Sequence, residues 1–116
     1  MEHHARAHWR FYQTPTGGSP VEEYLRSLPL EDQAAIAAAM HIARIEGLRV
    51  ARHIEGDLYE LRATGRNVSY RLFFSQEAKF ILLALDAIDK RTQRTPKHIV
   101  DRALYRLRDW RARGRK

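Results

Sequence analysis

The chain has 116 residues, enough for one domain built round a single modest core. It is 44% apolar and 30% charged, a balance that excludes a disordered polyelectrolyte, and it contains no cysteine, so disulfides and thiol catalysis are excluded. No apolar run approaches the ~18 residues that span a bilayer, and MEHHARAHWRFYQ lacks the apolar stretch of a secretory leader.

The net charge of +7 is unevenly distributed. From Lys90 to Lys116 there are eleven Lys and Arg against two Asp, while residues 1–89 hold ten basic against twelve acidic side chains. A basic segment beside a nearly neutral body suits a polyanion or an acidic protein surface. The last six residues, 111–116, read as a flexible basic tail.

In chain order, HWRFYQ (His8–Gln13) is expected to form a first strand, followed by the loop TPTGGSP. Ser19 stands before Pro20, and Glu22 follows three residues after the serine, the pattern of a capping box. The helix it opens is short and ends before Pro29. A second helix is expected from about Glu31 to Glu46, with Ala35, Ala38, Ala39, Ile42 and Ile45 as its apolar side and Gly47 as its stop. The short connection predicts an antiparallel helix pair.

Three strands are expected next, Asp57–Ala63, Val68–Ser75 and Lys79–Ile88, joined by connectors short enough to make neighbours antiparallel. FILLALDAI is the most continuously apolar and belongs in the sheet interior. Thr95 and Pro96 predict the start of a last helix, whose apolar stripe is Ile99, Val100, Ala103, Leu104, Leu107 and Trp110. Arg102, Arg106, Arg108 and Asp109 fall on its outer side. The predicted class is α+β: a small, mainly antiparallel sheet with an N-terminal helix pair and a C-terminal helix, in one domain over residues 1–116.

Alternation places Leu58, Glu60 and Arg62 on one side of their strand, with Tyr59 and Leu61 on the other. In the next strand Tyr70, Leu72 and Phe74 share a side, opposite Arg71 and Phe73. With one sheet face covered by helices, Arg71 must point to the open face or pair with a carboxylate, because a buried unpaired guanidinium is too costly. Two roles fit: a cross-strand pair with Glu60, or a clamp on a phosphate. DKRTQRTP (Asp89–Pro96) extends the basic surface toward a helix N-terminus, where free N–H groups favour anions. Asp86 fits either a general acid or base, or a partner for an arginine. Tyr59 and Tyr70 suit either base stacking or the core. The six histidines show no metal-ligand spacing.

LYELR (58–62), YRLFF (70–74) and an apolar strand entering DKRTQRTP (89–96), followed by a helix carrying Ala103, come in an order and spacing that resemble the RelE/HigB-like toxins of type II toxin–antitoxin systems, in the branch also found in phages. The resemblance covers roughly residues 50–107. It implies a RelE-like fold and a cytoplasmic, ribosome-dependent endoribonuclease that cleaves mRNA without a cofactor or metal. Its implied partners are the ribosome, mRNA and a cognate antitoxin, often with a helix-turn-helix domain, and no membrane. Arg62 and Arg71 match the family's arginines, and Lys90 and Arg91 its basic pair. Asp86 stands where many relatives carry histidine. Arg62, Arg71, Asp86 and Lys90 are thus the candidate catalytic residues, and Arg91, Arg94, Lys97 and Tyr59 the candidate RNA contacts. The competing readings are a non-catalytic RNA- or ribosome-binding protein and an inactive toxin relative acting through protein binding.

Overall fold

A computed structural model describes residues 7–89 and 94–114. The elements are β1 (His8–Phe11), α1 (Pro20–Arg26), α2 (Leu30–Glu46), a 3-10 turn (Gly47–Val50), β2 (Arg52–Glu55), β3 (Leu58–Thr64), β4 (Ser69–Ala78), β5 (Ile81–Asp89) and α3 (Lys97–Ala112). The five strands form one sheet in the order β1-β5-β4-β3-β2. Among the described strands only β1 runs parallel to its neighbour; β2 to β5 form an antiparallel meander. The α+β class and the interior position of β5 are as expected. β2 was not anticipated: RHIE is short, charged and largely exposed, so it carries no apolar alternation.

Alternation divides the large apolar side chains between two cores. Leu61, Tyr70, Leu72, Phe74, Leu82 and Ala84 pack beneath Val21 of α1 and Ile36, Met40 and Ala43 of α2. Leu58, Phe73, Leu83 and Leu85 pack with Tyr12 beneath Ile99, Val100, Ala103, Leu107 and Trp110 of α3. Phe73, Phe74, Leu83 and Leu85 are fully buried, and each such side chain contributes about 1.5–3 kcal/mol. The second sheet face is therefore not open, as the sequence suggested: α3 lies across β5 and β4. It leaves the far end of β3 exposed, where the Arg62 side chain is 59% accessible.

Three local expectations are corrected. The buried side of α2 is Asp32, Ile36, Met40 and Ala43, while Ile42 and Ile45 are exposed. In a helix this rich in alanine, small side chains mark no face, and the longer Ile36 and Met40 decide the rotation. At α1, the Ser19 hydroxyl makes no capping bond; the Ser19 N–H donates to Glu23 at 3.2 Å, and Glu22 pairs instead with Arg26. At α3, the cap residue is Pro96, and the Thr95 hydroxyl is turned elsewhere. The two N-terminal helices rest chiefly on different strands, α1 on β5 and α2 on β3, with the Gln33 amide bridging to the Arg26 and Leu28 carbonyls.

Past the start of the tail expected at 111, α3 continues to Ala112 because its last turn is pinned. Arg111 donates to both oxygens of Glu77 at 2.7 and 2.8 Å and to Asp57 at 3.0 Å. Tyr12 donates to Asp109 at 2.6 Å, and Arg113 closes on the same carboxylate and on the Gln13 carbonyl. No helix among the described residues is long and apolar enough to cross a membrane.

One buried polar pair locks α2 to the sheet. The Tyr70 hydroxyl donates to Asp32, whose other oxygen accepts the Arg66 N–H at 3.0 Å. Gly65 makes this approach possible: a Cβ there would lie 2.5 Å from the Asp32 carboxylate. The bond to Asp32, then burial, pushes the Tyr70 hydroxyl up to about 12 from its ordinary 10.0. An unfolded Tyr70 releases its proton near 10 and the folded one only near 12. The stabilisation is therefore complete below pH 10 and disappears as pH rises from 10 to about 12. Asp32→Asn is expected to bring Tyr70 ionisation back toward 10, read by ultraviolet absorbance titration. An unchanged curve would contradict the coupling.

Candidate functional site

The antiparallel register of β3 and β4 places Arg62 directly opposite Arg71. Both therefore project from the same sheet face, the one that α3 only partly covers. On β3, Glu60 lies two residues before Arg62 on that side, and its side chain is fully buried. Its Oε1 is 3.6 Å from Arg71 Nη1 and 3.8 Å from Arg62 Nε. Its Oε2 accepts from the Thr95 hydroxyl at 3.1 Å. Across the other edge of β3, Arg52 stands opposite Glu60 and is exposed.

This arrangement joins both readings of Arg71. Its side chain is 8% accessible and pairs with Glu60, which meets the electrostatic condition for burial. The pairing is incomplete: Arg71 Nε and Glu60 Oε1 have no hydrogen-bond partner among the described residues. Arg52, Arg62 and Arg71 thus stand around the Glu60 carboxylate at one end of this sheet face, a locally positive surface. A phosphate fits such a surface, because guanidinium forks match its oxygens.

Glu60 does a second thing. By accepting from Thr95 it ties β3 to the segment that opens α3. The sequence showed that Glu60 shares a face with Arg62, but not that it binds both arginines and Thr95. Arg52 was missed because β2 was missed.

Asp86 occupies a different place. A register shift in the β4–β5 pairing falls between Phe73 and Phe74, and there Leu85 and Asp86 both turn toward α3. Asp86 accepts from Arg102 Nε at 2.6 Å and Nη2 at 2.9 Å, and from its neighbour's Ala87 N–H at 2.9 Å. Arg106 Nη1 lies 3.4 Å away and donates to the Leu85 carbonyl at 2.9 Å. The hydrogen bond to Asp86 raises the Arg102 guanidinium above its ordinary value, whereas burial lowers Arg106. Arg102 and Arg106 therefore do not both belong to a free outer face of α3: they fasten the helix to β5.

Of the remaining candidates, Arg94 is exposed just before α3, and Lys97, also exposed, pairs with Asp101 at 2.8 Å. Tyr59 packs against His53 and Phe74 on the opposite sheet face from Arg62 and Arg71. Tyr70 is core. Lys90 and Arg91 lie outside the described residues.

A small α+β protein with arginines paired across a central hairpin, beside the start of a basic helix, is the class these features define. The family described as phage-derived protein Gp49-like (DUF891) matches residues 23–108. The chain is also 30% identical over 105 residues to the probable endoribonuclease HigB1 of Mycobacterium tuberculosis, in strains CDC 1551 / Oshkosh and ATCC 25618 / H37Rv, covering 88% of this chain and 83% of the relative. The chain belongs to this Gp49-like family, within the RelE/HigB-like toxins.

Proposed function

We propose that the protein is the endoribonuclease toxin of a toxin–antitoxin pair and that it cleaves mRNA on the ribosome. Its kinship with a probable HigB endoribonuclease supports the coarser part of this reading. The observation that carries the rest is the Arg62–Arg71 pair over buried Glu60.

Phosphodiester cleavage by the neighbouring 2′-hydroxyl needs three services. A proton must leave that hydroxyl, negative charge on the phosphorane must be balanced, and the departing 5′-oxygen must receive a proton. The products are a 2′,3′-cyclic phosphate and a 5′-hydroxyl. In this reading Arg71 and Arg62 face the non-bridging phosphate oxygens. Arg71 is the more fixed, since Glu60 and the surrounding core hold it. Lys90 is assigned the leaving oxygen or the adjoining backbone, with Arg91 and Arg94 on RNA phosphates. Asp86 is not assigned the base: its carboxylate is taken up by Arg102, Arg106 and the Ala87 N–H. The base then comes from the ribosome, and action on free RNA is weak.

The basic C-terminal half suits ribosomal RNA, and binding there should weaken steeply with salt. The antitoxin implied by the homology is placed on the same basic surface, as an acidic or amphipathic segment.

The test uses 70S ribosomes programmed with a short end-labelled mRNA. Cuts that require ribosomes and end in a cyclic phosphate are expected. Ribosome binding without cutting would instead favour the non-catalytic RNA-binding reading, which the full occupancy of Asp86 makes the natural alternative.

A further inference from the structure

On the outer side of α3, Tyr105 is 60% exposed, and nothing in the site above uses it. Arg102 stands three residues before it and Arg108 three after, so the three side chains form a row along the helix. Single exposed aromatics are ordinary; the surroundings of this one are not. The carboxylates of α3 are both engaged, Asp101 by Lys97 and Asp109 by Arg113 and Tyr12. Arg108 is exposed and has no hydrogen bond or ion pair among the described residues. Arg102, though paired with Asp86, keeps 46% of its side chain accessible.

The row also has a direction. Thr95, just before α3, touches Glu60 and so abuts the paired arginines. Tyr105 lies eight residues beyond Lys97, roughly 12 Å along the helix axis. A strand whose phosphate sits on Arg71 and that continues along α3 therefore passes Tyr105 within a few nucleotides.

We propose that Tyr105 is a stacking platform for an unpaired base of single-stranded RNA, with Arg108 contacting the adjoining phosphate. This rests on the reading that the arginine site holds RNA. Every base offers a π-face, and an aromatic ring among guanidinium groups matches the alternation of base and phosphate. A protein partner fits less well. Tyrosine and arginine serve protein interfaces too, but the net positive charge of α3 and the guanidinium of Arg108, unpaired among the described residues, favour a polyanion.

The test uses the purified full chain and short 2′-O-methyl RNAs, which lack the nucleophile, with 2-aminopurine at successive positions. Wild type is expected to quench the probe at one position. Tyr105→Ala should abolish that quenching and weaken binding roughly 10-fold, while Tyr105→Trp retains both. Arg108→Ala should lower the slope of log affinity against log salt by about 0.7. Unchanged affinity and quenching in Tyr105→Ala overturn the proposal. So does a Tyr105→Ala protein that loses a co-purifying protein partner but binds RNA normally. Quenching at Tyr105 by a wild type that never cuts programmed ribosomes supports the platform and removes the nuclease reading alone.

Discussion

Arg62→Ala is expected to lower ribosome-dependent mRNA cleavage by about 10²–10³-fold, the usual cost of removing one fixed donor to a charged transition state. Its melting temperature should stay close to wild type, because Arg62 is largely exposed and its approach to Glu60 is 3.8 Å. Arg71→Ala should lose at least as much activity and also destabilise the fold. It leaves the fully buried Glu60 carboxylate with one close cation fewer, a change that costs about 3–5 kcal/mol when a buried pair is broken. Arg71→Lys separates the two effects: a charge remains near Glu60, but the planar fork is gone. It should recover much of the stability and little of the cleavage. Single-turnover cleavage of programmed ribosomes, read beside thermal unfolding, decides the matter. Full activity in Arg62→Ala would remove that arginine from the chemistry.

The second large effect falls on stability. Asp86→Ala should destabilise the protein by about 3 kcal/mol, since it strands Arg106, 15% accessible, beside the partly exposed Arg102. For a domain of this size that lowers the melting temperature by on the order of 10 °C. Measured well below that temperature, cleavage should persist within a few-fold of wild type, because the carboxylate holds α3 rather than a substrate proton. A stable Asp86→Ala protein with abolished cleavage would restore Asp86 as the base. Asp86→Asn, which keeps the shape but not the charge, should lie between wild type and alanine in stability.

Residue-by-residue alternation proved the most informative feature of the sequence. It placed Glu60 with Arg62, and Arg71 with Phe73, opposite Tyr70, Leu72 and Phe74, as the two cores confirm. The stripe on α3 from Ile99 to Trp110 was equally readable, because most of its apolar residues are large and recur at helical spacing. α2 was misread for the opposite reason: alanines leave the buried side undefined, and Ile36 and Met40 set it only when they meet the sheet. β2 was invisible because RHIE is polar, and its place comes from pairing with β3. Thr95 had every local mark of a cap and went to Glu60 instead, a contact spanning thirty-five residues that no local pattern encodes.

By itself, then, the sequence determined the α+β class, four of the five described strands, which side chains share a face within β3 and within β4, and the basic C-terminal helix. These are local properties, fixed by periods of two and 3.6 residues and by side-chain chemistry. Tertiary structure decided what those groups face. It brought α3 over the second side of the sheet, closed Arg102 and Arg106 on Asp86, and left Glu60 between Arg62 and Arg71. A charge is a candidate catalyst or a structural tie according to its neighbours, and neighbours distant in sequence are supplied only when the chain packs.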